Sequence, residues 1–185
     1  MVKVASAMLP LGTQAPDFML TDTVTNSQFS LSKIAGKNAT VICFICNHCP
    51  YVKHIIHQLP KLANDYMKQG VGFVAINSND ITQYPDDSPK NMMAYAKELK
   101  FPFPYLFDET QEVAIAYQAK CTPDFYVFNH DMELVYRGQL DDSRLGNNIK
   151  VSGNSIRLAL DNILKNEPVS DIQKPSLGCS IKWKD

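Results

Sequence analysis

The sequence predicts an α/β fold with three layers, in which helices cover both faces of a central mixed β-sheet. Two nearly continuous apolar runs, residues 39–45 and 71–77, fit central strands that are buried on both faces. A helical pattern follows each run, so the two strands are predicted to lie parallel and to be joined by a helical crossover. A predicted hairpin within residues 125–138 adds antiparallel strands to this sheet.

The first 38 residues are predicted to form an N-terminal extension of a single domain. Residues 17–20 follow Pro16 and predict a short edge strand, and residues 28–32 predict a second short strand. A serine in the second segment can cap a single helical turn.

The longest helical pattern runs from Cys49 to Gln69, with apolar residues at three- and four-residue spacing. Pro50 is tolerated in the first turn, whereas Pro60 is expected to kink the helix. A polar, proline-bearing loop over residues 78–88 leads to the next helix. Loops of this length are more often functional than idle.

The C-terminal part is predicted to complete the fold with short elements. They are a strand interrupted by prolines at residues 101–108, a helix at 110–117, the hairpin, and a helix over 156–164. Arg137 is expected to form a salt bridge with the Asp141–Asp142 pair at the end of the hairpin.

Length, charge and hydropathy predict one soluble domain over residues 1–185. Lys and Arg number 18 against 19 Asp and Glu, with no basic block, which argues against a nucleic-acid partner. No apolar stretch of about 18 residues and no signal-peptide core occurs, so we expect no membrane association and a cytoplasmic location. The tail, residues 168–185, carries Cys179, Ile181 and Trp183, and we expect it to dock on the domain.

A Cys-x-x-Cys motif, Cys46-Asn47-His48-Cys49, lies at the predicted junction between the first central strand and the long helix. Five cysteines, an odd number, do not fit a secreted disulfide framework, and in a reducing compartment such a motif is typically catalytic or metal-binding. Unpaired N–H groups at a helix N-terminus favour a thiolate, so the motif predicts redox chemistry. Two packed thiols or half of a zinc site are the alternatives.

These features resemble the thioredoxin superfamily in the order of the elements, in the motif after the first core strand and in Thr122-Pro123 before the hairpin. More narrowly, the sequence resembles a bacterial group described as peroxiredoxin-like or probable thiol-disulfide isomerase, of AhpC/TSA-redoxin-like type. The segments that carry this resemblance are the motif, Cys121 to Asp124, Tyr136 to Gly138 and the closing Gly178 to Lys184. The resemblance implies a thioredoxin-like three-layer α/β/α fold in which Pro123 is cis and faces the dithiol.

The motif and the resemblance assign roles to the residues of the site. Cys46 is expected to be the exposed nucleophile at the helix N-terminus, and Cys49 the thiol that resolves the mixed disulfide. Asn47 and His48 are expected to shape the site. A charged His48 would lower the pKa of Cys46 and make the protein more oxidising than thioredoxin, and a solvent-exposed, inert His48 is the alternative.

Thr122 and Pro123 are expected to form the opposite wall of the site. A partner segment can pair there with the backbone of Thr122 as an added strand. Cys121 and Cys179 are candidate additional redox thiols, with simple packing as the alternative for each, and Cys43 is expected to be a core residue.

The expected function is thiol-disulfide exchange through Cys46 and Cys49 with a protein or small-molecule disulfide or thiol. A cellular reductant, such as a thioredoxin or glutathione system, is the expected redox partner of the protein. We expect no cofactor and no metal. A peroxiredoxin-like thiol peroxidase with antioxidant activity is the first alternative, although Cys46 occupies the position where peroxiredoxins carry Thr or Ser. A metal-binding module is the second alternative. Residues 39–45 lack the buried acid of thioredoxins, so the route of proton transfer is expected to differ.

Overall fold

The computed structural model of the protein describes residues 3–184. Its strands are β1 (Lys3–Ala5), β2 (Met19–Asp22), β3 (Gln28–Ser30), β4 (Ala39–Phe44), β5 (Val71–Asn77), β6 (Tyr105–Phe107), β7 (Cys121–Thr122), β8 (Asp124–Asn129), β9 (Leu134–Gly138) and β10 (Leu177–Ser180). Its α-helices are α1 (Leu31–Ile34), α2 (Pro50–Ile55), α3 (Leu59–Met67), α4 (Pro89–Glu98), α5 (Glu112–Ala116) and α6 (Asn154–Leu164).

Seven strands form the central sheet in the order β3-β2-β6-β5-β4-β8-β9. β4, β5 and β6 run parallel, and every other neighbouring pair runs antiparallel, so the predicted mixed sheet is confirmed. The helices α2, α3 and α4 provide the crossovers that parallel strands require. The two strands predicted for the N-terminal extension join the sheet beyond β6, with β3 at its edge.

Side chains of β4 alternate between two cores, one on each face of the sheet. Val41 and Cys43 contribute to the core that is covered by α2, α3, α4 and α6. Ile42 and Phe44 contribute to the core that is covered by α1 and α5. Each fully buried aliphatic side chain contributes about 1.5–3 kcal/mol to folding, so the strand that leads to the motif is firmly anchored.

The long helical pattern is interrupted as predicted, but ahead of Pro60. α2 ends at Ile55, residues 56–58 form a single 3₁₀ turn, and α3 begins at Leu59 with Pro60 in its first turn. Proline has no N–H, and its ring clashes with the carbonyl four residues earlier, so the interruption falls in the turn that precedes Pro60.

A second sheet, β1-β10-β7, holds the C-terminal tail against the domain. Cys179 of β10 lies opposite Thr122 of β7. Cys179 and Ile181 are buried, so this part of the tail packs against the rest of the chain, whereas Trp183 is 42% exposed. Within residues 3–184, no helix combines the length and apolar character needed to cross a membrane.

Arg137 does not form the predicted salt bridge with Asp141 and Asp142. Its Nη2 donates to Asp124 Oδ2 at 3.2 Å, and both side chains are fully buried. The register of β8 and β9 explains this pair, because Arg137 lies opposite Tyr126, and Asp124 is two residues away on the same face. Asp141 instead accepts backbone N–H groups of the loop before α6 at 2.7 Å.

Candidate active site

The dithiol lies in the turn between β4 and α2. β4 ends at Phe44, and α2 begins at Pro50 with Cys49 as its N-cap residue. The motif predicted Cys46 at the helix N-terminus. Cys46 lies instead in the irregular turn before the helix. Proline is favoured at the first helical position because its missing N–H is not needed there, which explains why the helix starts after the second cysteine.

Both sulfurs of the motif are buried. Cys46 and Cys49 are each 0% exposed, so the expectation of an exposed Cys46 is wrong. A disulfide of another molecule can reach these sulfurs only after local opening of the site.

Thr122 contacts both cysteines of the motif. Its Oγ1 lies 3.1 Å from Cys46 Sγ, and its carbonyl oxygen lies 3.3 Å from Cys49 Sγ, from which it accepts a hydrogen bond when Cys49 is protonated. The Thr122–Pro123 peptide bond is cis, as the resemblance implied. The predicted opposite wall of the site is therefore present.

Cys179 brings a third thiol to the site. Its Sγ lies 2.8 Å from Cys49 Sγ, because β10 places Cys179 opposite Thr122. The protein's own tail thus occupies the position where we expected a partner strand to pair with Thr122. Gly178 permits this close approach, since a Cβ atom at this position would lie 2.0 Å from the carbonyl oxygen of Thr122.

The contacts of the dithiol favour a negative charge on Cys49. The hydrogen bond from Cys46 lowers the pKa of Cys49 most. Burial opposes this effect, and hydrogen bonds from Cys179 and from the backbone of Val52 lower the pKa further, to about 5. Burial, the hydrogen bond to Cys49 and the charge of Asp87 raise the pKa of Cys46 well above its ordinary value. These contacts therefore favour ionisation of the pair at Cys49 rather than at Cys46, and the pair titrates as a unit.

Asp87, in the loop between β5 and α4, is a buried acid that sequence analysis missed. Its Oδ1 accepts the backbone N–H of Asn47 at 2.7 Å. Its Oδ2 lies 2.6 Å from His48 Nδ1 and accepts a hydrogen bond from Asn79 at 2.8 Å. Burial alone would raise the pKa of Asp87, but the hydrogen bonds from His48, Asn79 and Asn47 outweigh it and hold the pKa below its ordinary value. This loop supplies the carboxylate that residues 39–45 lack.

The pairing with Asp87 corrects the role predicted for His48. The imidazole Nδ1 faces a carboxylate, which balances any positive charge on the ring. The charge of Asp87 raises the pKa of Cys46, and His48 is not among the groups that shift this pKa most. Its side chain is only 14% exposed and stacks on Tyr84 with ring centres 5.2 Å apart, so it is not a solvated loop residue either.

Asn47 links the dithiol turn to neighbouring elements. Its Nδ2 donates to the carbonyl oxygen of Asp86 at 2.8 Å, and its Oδ1 accepts from the hydroxyl of Tyr105 at 3.1 Å. The same loop is joined to the tail, because the backbone N–H of Lys182 donates to Asn79 at 2.8 Å. The turn, the loop and the tail thus form one hydrogen-bonded network.

Cys46, His48 and Asp87 also provide a set of candidate metal ligands. One ligand atom from each lies within 4.8 Å of the others. Thiolate, imidazole and carboxylate are ligands that Zn²⁺ accepts. The oxygens of Asp87 already accept hydrogen bonds from Asn47, His48 and Asn79, so metal binding would have to replace some of these contacts.

The two remaining cysteines are buried in strands. The Cys121 thiol donates to the carbonyl oxygen of Pro123 at 3.8 Å, and burial raises its pKa. Cys43 donates to the carbonyl oxygen of Val74 at 3.5 Å, and burial raises its pKa to about 12. Cys43 is therefore a core residue, as predicted.

The mixed sheet between two helical layers, the dithiol at the end of a central strand and the cis-proline opposite it define a protein of the thioredoxin fold. The thioredoxin domain of a thiol-disulfide oxidoreductase from Bacteroides vulgatus has the same fold, with a TM-score of 0.60 at 16% identity over 70% of this chain and 89% of that one. Within this class, the chain belongs to the AhpC/TSA family, whose model matches residues 11–137.

Two further relatives extend the comparison. An uncharacterized conserved protein from Geobacillus kaustophilus is 62% identical, with a TM-score of 0.98 over 100% of this chain and 97% of that one. The thiol-disulfide oxidoreductase ResA of Halalkalibacterium halodurans is 26% identical over 124 residues, which are 67% of this chain and 65% of ResA. The tail that carries Cys179 lies beyond the residues that the family model matches.

Proposed function

We propose that the protein is a thiol-disulfide oxidoreductase that acts through Cys46 and Cys49. The contacts of Cys49 carry this proposal: once Cys49 has lost its proton, the thiols of Cys46 and Cys179 can donate hydrogen bonds to its sulfur, which stabilises the thiolate. A stabilised thiolate is a good leaving group in thiol-disulfide exchange. Proteins or small molecules with thiols and disulfides are the proposed substrates. The glutathione or thioredoxin pool of the cytoplasm is the proposed redox partner, and its oxidised disulfide form re-forms the Cys46–Cys49 disulfide and takes up the two electrons of each turnover.

The reaction begins on the oxidised protein, which carries a Cys46–Cys49 disulfide. A thiolate of the substrate attacks Cys46 Sγ, a mixed disulfide forms, and the electron pair of the broken bond leaves on Cys49. The Cys179 thiol and the backbone N–H of Val52 stabilise this new thiolate. A second substrate thiolate then attacks the substrate sulfur of the mixed disulfide. Cys46 leaves and takes up a proton, so the substrate departs oxidised and the protein is reduced.

The reverse reaction requires Cys46 to lose its proton and attack a substrate disulfide. A negative charge on Cys46 would lie beside the Cys49 thiolate and close to Asp87, which disfavours it. Oxidation of the substrate is therefore the favoured direction. We retain the expectation of an oxidising protein, with the stabilised thiolate of Cys49 as its cause in place of His48.

The His48–Asp87 pair is the proposed proton acceptor and donor for Cys46. One ring nitrogen of His48 and a carboxylate oxygen of Asp87 lie within 4.8 Å of Cys46 Sγ. Asp87 holds the imidazole in place through the 2.6 Å contact with Nδ1. A positioned imidazole can exchange protons at neutral pH.

Disulfide exchange with a model dithiol peptide in glutathione buffer tests the proposal. We expect Cys46→Ser to lower the rate well below that of the wild type, and the core variant Cys43→Ala to keep the wild-type rate. Reduced Cys49→Ser should stall as a mixed disulfide on Cys46 when it meets a substrate disulfide, which identifies the substrate by mass spectrometry. Wild-type exchange by Cys46→Ser would refute the proposal. Slow exchange combined with rapid peroxide consumption by the wild type would favour the peroxidase instead.

A further inference from the structure

We propose that Cys179 is a third redox thiol, which converts the Cys46–Cys49 disulfide into a Cys49–Cys179 disulfide and releases Cys46. This inference rests on the proposed function, because it starts from the Cys46–Cys49 disulfide. It adds to the reacting groups a residue of the tail, which lies outside residues 11–137, the part of the chain that the AhpC/TSA family model matches.

The position of Cys179 suits direct attack on Cys49. The two Sγ atoms are 2.8 Å apart, and a disulfide bond is about 2.05 Å long, so a shift of less than about 1 Å joins them. β10 holds Cys179 opposite Thr122. Hydrogen bonds from Ser176 at 2.6 Å and from Ile181 at 3.0 Å fix the tail on either side of this position.

The protonation of Cys179 depends on the redox state of its neighbour. In the reduced protein, burial and the hydrogen bond to Cys49 raise the pKa of Cys179 to about 12, so Cys179 is a proton donor. In the oxidised protein Cys49 carries no thiolate, and the contribution of its charge to this high pKa is absent. Cys179 is therefore more readily deprotonated in the state in which it has a disulfide to attack.

The exchange balances without an external oxidant or reductant. Cys179 loses its proton as its Sγ attacks Cys49 Sγ, and the Cys49–Cys179 bond forms while the Cys46–Cys49 bond breaks. The electron pair leaves on Cys46, which takes up a proton. The hydroxyl of Thr122, 3.1 Å from Cys46 Sγ, can donate a hydrogen bond to the departing sulfur.

The exchange changes what the oxidised protein can do. While Cys46 is part of the Cys46–Cys49 disulfide, it cannot act as a nucleophile, and the protein reacts only when a substrate thiolate attacks this disulfide. With Cys49 joined to Cys179, Cys46 is a thiol and can itself attack a wrongly paired disulfide of a substrate, which is the first step of disulfide isomerisation.

The Cys46→Ser variant tests the proposal directly, because Cys49 and Cys179 are then the expected pair. The reduced variant is equilibrated in glutathione buffers of increasing oxidised fraction, quenched with acid, alkylated, digested without reduction and analysed by mass spectrometry. We expect the linked Cys49–Cys179 peptide to accumulate. If the variant instead remains reduced, or forms only glutathione adducts, in buffers that oxidise the wild type, the proposal is wrong.

Two double variants are the controls. Adding Cys121→Ser should leave the linked peptide unchanged, because Cys121 faces Ser180 in the strand pair. Adding Cys179→Ala removes the linked peptide, so the readout in this variant is the mixed disulfide of Cys49 with glutathione, which should become the main oxidised form because no neighbouring thiol displaces the glutathione. If this adduct accumulates to the same extent with and without Cys179, the proposal is wrong.

A measurement on the unmodified chain avoids any effect of substitution on folding. In oxidised wild-type protein, a rapid alkylating reagent should label Cys46 in one fraction of molecules and Cys179 in the other. Labelling of Cys179 alone would contradict the proposal. These readouts need no turnover, so a protein that forms the Cys49–Cys179 bond but fails the exchange assay would refute the proposed function and leave the inference standing.

Discussion

The Nδ1 atom of His48 lies 2.6 Å from Oδ2 of Asp87, so the central residues of the Cys-x-x-Cys motif are bound to an acid 39 positions further along the chain. The other oxygen of this carboxylate accepts the backbone N–H of Asn47 at 2.7 Å. A single buried side chain thus fixes both residues between the cysteines. The protein combines the thioredoxin-like position of its dithiol with a carboxylate from a different element.

Substitution of Asp87 by Asn should destabilise the dithiol turn. The amide cannot accept hydrogen bonds as a carboxylate does, and loss of a buried charged partner typically costs about 1–3 kcal/mol. We expect this decrease in the free energy of unfolding by urea denaturation at pH 7. Asp86→Asn, at the adjacent exposed position, makes the same change in charge and should have little effect. A decrease of equal size in both variants would contradict a specific role for Asp87.

The Asp87→Asn variant should also differ from the wild type in how its stability depends on acidic pH. The pKa of Asp87 is lower in the folded protein than its ordinary value, so its ionisation stabilises the fold above about pH 4. This stabilisation disappears as the pH falls through the depressed pKa. The stability difference between wild type and Asp87→Asn should therefore shrink on acidification below pH 4, which urea denaturation across pH measures. A difference that is constant with pH would argue against the ionised carboxylate.

Titration of the reduced protein should reveal a thiolate on Cys49 with a pKa of about 5. Thiolate absorbance at 240 nm measures it. Cys46→Ala and Cys179→Ala should each raise this pKa, because each removes a thiol that donates to Cys49, and Cys46→Ala should have the larger effect. Cys43→Ala should leave it unchanged. A wild-type midpoint near the ordinary thiol value would refute the proposed stabilisation.

The reduction potential should change its pH dependence near pH 5. Above the pKa of Cys49, reduction takes up one proton and the potential should fall by about 30 mV per pH unit, and below it by about 59 mV. At pH 7, the low pKa favours the reduced form roughly a hundredfold, which raises the potential by about 60 mV over an ordinary dithiol. Equilibration with glutathione measures these values. A potential at or below that of thioredoxin, about −270 mV, would exclude an oxidising protein.

The local sequence predicted those parts of the fold that depend on periodicity. The apolar runs of β4 and β5, the hairpin and the break near Pro60 all follow from side-chain alternation or proline chemistry. The strand β1 was not predicted, since three residues with a mixed burial pattern carry little signal. Its pairing with β10 joins segments more than 170 residues apart, which no local pattern can indicate.

The sequence predicted most of the residues that form the candidate site, but it predicted less well how these residues are arranged. Cys46, Cys49 and Thr122 meet as expected, because the motif and the turn before the hairpin lie at the same end of the sheet. The acid Asp87 was missed because only the length of its loop indicated a function. Cys179 was one candidate among several, since its contact with Cys49 depends on the position of the tail strand.

Gly178→Ala should separate the tail from the dithiol. A Cβ atom at this position would lie 2.0 Å from the carbonyl oxygen of Thr122, so β10 would have to move away from β7. Steric overpacking of this kind typically costs about 1–3 kcal/mol, which urea denaturation measures. Because Cys179 moves with the strand, we also expect a higher pKa for Cys49 and a lower yield of the Cys49–Cys179 peptide in the Cys46→Ser background. Ser180→Ala, on the same strand, removes only a side-chain contact with Lys182 at 3.1 Å and should change neither quantity. An unchanged pKa of Cys49 in a folded Gly178→Ala protein would show that the close approach of the tail does not control the charge at the dithiol.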